Sequence, residues 1–411
     1  MKSKISPFSA FKIRDFRLLW LGLLISRIGS EMQVVAVSWQ VYLLTGSAFS
    51  LGIIGLARFL PVLFFSLIGG VAADRYDRRK VMLFSQIAMA FFSVVLAITT
   101  WNGTVSASVI YLMIAANSLA SVFDTPARQS IVPLLVPKKQ FVNAISLTTT
   151  MWHAAIVLGP TISGFTIASL GIASVYIINA VSFIASIISL LLLKRGGREV
   201  ATRTSFSLTD ITEGLSFVFK TPLMISSMLL DFFATFFSSA TVLLPIFAKD
   251  ILQVGPQGLG ILYAAPSIGA ISGGLLISSF NKINKQGKLL ITGVLIYGLS
   301  TFFFGFTRNF LVSLIFLFFT GFGDVISTII RNTIRQMVTP DYLRGRMVSV
   351  NMIFFMGGPQ LGEVEAGFLA ATVGAPLSVS IGGLGTILIT LLIAYFVPKL
   401  RKYEGHEVIM S

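Results

Sequence analysis

Apolar residues in this chain neither alternate with polar ones nor recur once per helical turn. They run on, with few interruptions, for about twenty residues at a time. Twelve such runs occur, at approximately 18–45, 48–73, 80–101, 106–127, 141–168, 172–194, 222–248, 258–280, 288–306, 309–333, 347–372 and 377–397. About 20 predominantly apolar residues carry a helix across the hydrocarbon core of a bilayer. Each run therefore predicts one membrane-crossing helix, and the chain as a whole predicts an all-α membrane protein. The first run exceeds one crossing, which predicts tilt or an extramembrane end. The one long polar connection divides the chain into a six-span half at 1–196, a linker at 197–221 and a second six-span half with its tail at 222–411. In the linker, Leu208, Ile211, Leu215, Val218 and Phe219 share one face of Ser207–Phe219. That spacing predicts a short amphipathic helix, by preference a plain linker helix and otherwise one lying at the cytoplasmic interface. The segment Met1 to Arg17 is basic and leads into a full span without a small-residue cleavage pattern, so no cleavable signal peptide is expected.

Composition agrees. Of 411 residues, 55% are hydrophobic and 11% charged, with a mean hydropathy of +0.87. Soluble domains average about 25% charged residues, so a soluble globule is excluded. Zero cysteines exclude a disulfide scaffold and thiolate-held metal, and two histidines argue against a multi-histidine metal site. Long continuous apolar runs argue against an alternating outer-membrane barrel. No metal or cofactor is expected. The formal charge of +15 suggests nucleic acid until the cations are placed. All but Arg27, Arg58, Lys249 and Arg308 of the 31 Lys and Arg fall in the termini, the middle loop, or the loops after spans 2, 4, 8 and 10. These segments share one side of the membrane. The positive-inside rule makes that side, with both termini, cytoplasmic, and attraction to anionic lipid accounts for the rest of the excess. Nucleic acid is not an expected partner, and a bacterial inner membrane is the expected location.

The chain also repeats itself. A shift of 203 residues places Arg128 on Arg331, Val136-Pro137 on Thr339-Pro340, Gly159 on Gly362, Gly164 on Gly367 and Phe165 on Phe368. A shift of 208 places Leu51-Gly52 on Leu259-Gly260 and Lys80 on Lys288. Two related six-span halves, with a substrate site near the midplane, are the plan of one large transporter class.

Three motifs carry further information. The loop after span 2 reads Gly70-Val-Ala-Ala-Asp74-Arg75-Tyr-Asp77-Arg78-Arg79-Lys80. It resembles the G-x-x-x-D-R-x-G-R-R signature loop of the major facilitator superfamily, with Asp77 where the family usually has glycine. The resemblance implies a twelve-helix fold of two pseudo-symmetric halves. It also implies that Asp74, with Gly70, Arg75, Arg78 and Arg79, latches the halves in the outward-facing state. The counterpart in the second half, Asn281 to Lys288, has no acid. Span 5 carries Ala155, Gly159, Pro160, Ser163 and Gly164. Small residues at this spacing make a flat packing groove, and the proline removes a backbone hydrogen bond. The segment resembles the G-x-x-x-G-P-x-x-G-G motif of superfamily antiporters, with alanine and serine replacing two glycines. Span 11 repeats the groove with Gly358, Gly362, Ala366 and Ala370, and Glu363 stands where span 5 has Pro160. Arg344-Gly345-Arg346 after Pro340-Asp341, Trp39-Gln40-Val41-Tyr42, Thr45-Gly46-Ser47 and Phe59-Leu60-Pro61 resemble the superfamily branch that includes enterobactin exporters and macrolide efflux proteins. The likeness runs from Phe8 to about Val397.

Ionisable groups at membrane depth are functional candidates by default. Arg27 and Glu31 lie four apart in span 1 and share a face, as a switchable pair or a purely structural one, with Arg58 of span 2 in reach. Asp231 in span 7 and Glu363 in span 11 have no close partner in sequence. Asp324 in span 10 has Arg331 seven residues on. The proton-coupling candidates are Glu31, Asp231 and Glu363. The substrate-cavity candidates are Arg27, Arg58, Trp152, His153, Phe236 and Asp324, with Phe236 part of a possible aromatic wall. Spans 3, 6, 9 and 12 hold no interior charge and read as lipid-facing supports. No phosphate-binding loop and no catalytic set occur, so neither an ATPase nor any other enzyme is expected. The expected function is a secondary transporter, monomeric, exchanging protons for a siderophore or amphipathic drug-like compound. A lysophospholipid flippase of the same fold and a non-transporting receptor remain alternatives.

Overall fold

In the computed structural model the described residues are 8–194, 216–280, 283–340 and 343–405. Most of the predicted Ser207–Phe219 helix lies outside them, as do Asn281, Asp341 and the side chains of Asp74, Arg344 and Arg346. Among the described residues the regular structure is helical throughout. The long helices are α1 (Arg14–Thr45), α2 (Ala48–Arg75), α3 (Arg78–Trp101), α4 (Ala107–Leu135), α5 (Phe141–Leu170) and α6 (Ile172–Leu192), then α7 (Pro222–Phe237), α8 (Gly255–Ser278), α9 (Gln286–Phe306), α10 (Phe310–Val338), α11 (Arg344–Val373) and α12 (Ala375–Phe396). A one-turn α13 (Pro398–Arg401) follows. Helix α7 continues through a 3-10 turn and a π turn to Ile251. Eleven of these elements are long and apolar enough to cross a membrane. Helix α11 has the length as well, at 30 residues.

Helices α4 and α10 run past their apolar stretches, to Leu135 and Val338. Arg128, Arg331 and Arg335, assigned above to basic loops, therefore lie inside helices, and Arg331 and Arg335 are buried. Each is held by carboxylates described below, which apolar run length does not register.

Local chemistry sets the helix ends. Asp77 caps α3, its Oδ1 accepting from the amides of Arg79 at 2.9 Å and Lys80 at 3.3 Å. The departure from the signature glycine thus supplies an N-cap. Asn309 caps α10 in the same way. The junctions α5–α6 and α11–α12 each turn on a glycine, Gly171 (φ 82°) and Gly374 (φ 87°). They are 203 residues apart, so the repeat extends to the backbone.

The chain forms two compact units. The first holds α1, α2 from residue 57, α3 to α6, and residues 255–264. Within it α1 packs on α5 and α6, and α3 on α4 and α6. Its apolar core includes Phe16, Leu19, Met82, Ile131, Met151 and Leu190. Two buried polar knots tie α1, α3 and α6. Asn179 and Ser93 both donate to Gln33 Oε1, at 2.7 and 2.9 Å, and the Tyr176 hydroxyl donates to Gln40 Oε1 at 2.7 Å. The second unit holds residues 47–56, α7, the rest of α8, and α9 onward. Its helix pairs, α7 with α11 and α12 and α9 with α10 and α12, match those of the first one for one. Its core includes Leu223, Leu230, Leu290, Val294, Ile330 and Ile334.

Candidate functional site

In the first unit, Arg27 Nη2 lies 2.5 Å from Glu31 Oε1 on the same face of α1. The Arg27 guanidinium stands 3.9 Å from the centroid of the Trp152 ring on α5, and the Arg128 guanidinium from α4 approaches the same ring at 5.2 Å. An indole face attracts cations, so Trp152 holds two arginines that would otherwise repel. Arg128 lies 3.8 Å from Asp124, and Asp124 Oδ1 accepts from Gln86 Nε2 at 2.9 Å. Gln86 in turn accepts from Ser26, the neighbour of Arg27. The network links α1, α3, α4 and α5 and returns to α1. Asp124, Arg128 and Gln86 were missed as site residues. The available signals were the four-residue Asp124–Arg128 spacing and the alignment of Arg128 with Arg331.

The glycine-rich segment of α5 packs against this ion pair. A Cβ at Gly159 would collide with the Cβ of Glu31, and Ser163 Oγ donates to the Met32 carbonyl at 2.8 Å. Gly164 abuts Gly260 at the start of α8, while the Pro160 carbonyl faces that same Gly260. His153, the neighbour of Trp152, is exposed.

The second unit buries a denser cluster. Asp231 on α7 is 2% exposed and meets Arg331 at 2.9 Å and Arg335 at 3.5 Å, both from α10. Asp231 has no close partner in sequence, and its partners come from a helix a hundred residues on. Arg331 also lies 3.6 Å from Asp324 and donates to Thr328 Oγ1 at 2.7 Å. Its Nε and Nη1 are buried without a hydrogen-bond partner among the described residues. Arg335 donates to the Arg331 carbonyl at 3.2 Å and to Asn351 Oδ1 on α11. Asp324 is the accessible member, its side chain 43% exposed. Phe232 stacks on Phe236 at 5.9 Å, with Phe354 edge-on to Phe232. Gly358 and Gly362 bring α11 against the carbonyls of Phe232 and Phe236. Glu363 packs against Gly55 at the start of α2. Arg58 and Glu363 are both half-buried.

In the signature loop, Gly70 is half-buried and Arg75 exposed. Arg78 donates to the Ser130 carbonyl at 3.4 Å. Arg79 donates to the Leu191 and Leu193 carbonyls at 2.7 and 3.0 Å, closing the C-terminal end of α6.

Residues 5–411 match the family of transmembrane secretion effectors, a family of the major facilitator superfamily. The chain belongs to that family. This major facilitator protein is 27% identical over 398 residues to the multidrug efflux pump Tap of Mycolicibacterium fortuitum, covering 94% of this chain and 96% of that one. It is 26% identical over 393 residues to the enterobactin exporter EntS of Salmonella typhi, covering 95% and 94%. Among solved structures it resembles the D-xylose–proton symporter, with TM-score 0.72, 14% identity and 94% and 98% covered. It also resembles a bacterial homologue of the human lysosomal transporter Spinster, with TM-score 0.71, 14% identity and 94% and 95% covered. At such identity the structures establish the fold. The superfamily protein is thus a multi-pass membrane transporter and not an enzyme.

Proposed function

We propose that this transporter is a proton-coupled antiporter that exports a siderophore or an amphipathic drug-like compound by alternating access. Two relatives aligned along nearly the whole chain are named as an efflux pump and an enterobactin exporter. The observation that carries the coupling is the Arg27–Glu31 pair, whose carboxylate has one guanidinium at 2.5 Å and a side chain 14% exposed. A carboxylate in a single close ion pair at membrane depth, with some access to water, can exchange a proton by trading its partner. Glu31 is the first proton candidate, with Asp231 and Glu363 beside it. Arg27, Arg58, Trp152, His153, Phe236 and Asp324 are the residues proposed to meet substrate, and an anionic catecholate would find the arginines. Gly70, Asp74 and the arginines of the signature loop are proposed to latch the two six-helix halves, 1–196 and 222–411. We place both termini in the cytoplasm of a bacterial cell and the protein, as a monomer, in its inner membrane.

The test is reconstitution in liposomes with a trapped pH dye, adding siderophores, macrolides and lysolipids in turn. A compound-dependent proton flux that Glu31→Gln abolishes is the expected result. Flux unchanged in Glu31→Gln removes that residue from the mechanism. Compound movement without proton flux would instead support lipid flipping, and binding without movement a receptor.

A further inference from the structure

A groove of about 720 Å³ opens at the basic end of α9 and α12, outside every residue set invoked for transport. Its walls are Ile291 and Thr292 of α9 and Leu388, Leu391 and Leu392 of α12. Those leucines stand half exposed, and Tyr395, at the same end, is 72% exposed. Two cations complete it: Lys288 from α9 and Arg401 from α13. Neither has an ion-pair or hydrogen-bond partner for its side chain among the described residues.

The cations are held in place. The Gly287 amide donates to the Tyr403 carbonyl at 2.9 Å, and the bare Cα face of Gly287 rests on the backbone of Leu400 and Arg401. Leu400 and Tyr403 are buried, at 0% and 1% exposure. This docking fixes Arg401 beside Lys288, which is the next residue after Gly287. The matching place in the first half is used differently. Lys80 corresponds to Lys288, but its neighbour Arg79 is spent on the carbonyls at the end of α6, as is Arg14 on Leu192. After α12 the chain turns into α13, where the Leu400 and Arg401 amides donate to the Val397 carbonyl, and among the described residues no partner engages the side chains of Lys288 and Arg401.

We propose that this groove binds one anionic phospholipid, its phosphate between Lys288 and Arg401 and an acyl chain along Ile291 and the α12 leucines. Two cations without a partner among the described residues, at the mouth of an apolar groove, complement a negative headgroup attached to a hydrocarbon tail. A zwitterionic lipid offers no net charge, and a free phosphate has nothing for the apolar walls.

Native mass spectrometry of the full chain in detergent, titrated with phosphatidylglycerol or phosphatidylcholine, tests the assignment. Wild type is expected to retain one phosphatidylglycerol in preference to phosphatidylcholine. Lys288→Ala/Arg401→Ala is expected to weaken phosphatidylglycerol retention about tenfold without changing phosphatidylcholine. Lys399→Ala, an exposed cation that does not line the groove, is expected to retain the lipid, and Lys288→Arg likewise. Leu391→Trp keeps both cations and fills the groove, and is expected to lose the lipid. Unchanged retention in the double variant, or an equal loss of both lipids, would overturn the proposal. So would displacement by glycerol 3-phosphate at the concentration of the lipid itself, which would make the site an anion site alone.

Discussion

Asp231 and Asp324 share Arg331, but their surroundings differ. Asp231 is buried between two guanidiniums at 2.9 and 3.5 Å, whereas Asp324 is 43% exposed with one guanidinium at 3.6 Å. Removing one partner of a buried pair leaves an uncompensated charge and destabilises by about 3–5 kcal/mol. An exposed pair contributes about 1 kcal/mol or less. Asp231→Ala is therefore expected to lower the melting temperature in detergent strongly, and Asp324→Ala little. Equal shifts would mean that Arg331 is held by something other than Asp231. Sequence flagged both aspartates as ionisable groups at membrane depth, yet paired Asp231 with nothing. Its partners are 100 and 104 residues away, and only helix packing brings them together. The Arg27–Glu31 pair, by contrast, was legible because a spacing of four lies within one helix face.

The helices themselves were the most legible features, because hydrophobic run length is read directly from the residues. Their ends were less so. α4 continues over Arg128, which Asp124 one turn earlier in the same helix offsets, whereas α10 continues over Arg331 and Arg335 because Asp231 of α7 neutralises them, and no local pattern announces that second case. The repeat was legible in small residues and prolines, and the backbone carries it further. Gly171 (φ 82°, ψ 170°) and Gly374 (φ 87°, ψ 154°) occupy a region essentially closed to other residues, where a side chain adds about 1–3 kcal/mol of strain. No atom lies close enough to either missing Cβ to clash, so the strain is purely conformational. Gly171→Ala and Gly374→Ala are each expected to destabilise by that amount and by similar margins, measured as shifts in thermal unfolding. A neutral effect at one site alone would show that the two junctions do not share their geometry under load.

At the scale of the whole molecule, transport by alternating access needs elements with two arrangements of comparable stability, and ligands that favour one over the other. On the proposed reading, the Arg27–Glu31–Trp152–Arg128 network is such an element. With Glu31 ionised, two acids and one indole offset two guanidiniums. With Glu31 neutral, Arg27 and Arg128 face the same ring with Asp124 beside Arg128, and an anionic substrate is the natural replacement. Stability and coupling then respond differently to substitution. Glu31→Gln alone leaves Arg27 poorly compensated and is expected to destabilise. Adding Arg27→Gln removes the excess charge and should recover part of the loss, with an interaction energy of about 0.5–3 kcal/mol in a double-mutant cycle. Proton flux should stay absent in both, because neither protein holds the carboxylate. Flux that returned in the double variant would show that Glu31 merely neutralises Arg27 and that the proton travels elsewhere. Additive stabilities with flux lost would leave Glu31 as the carrier but free it from Arg27 as its switching partner.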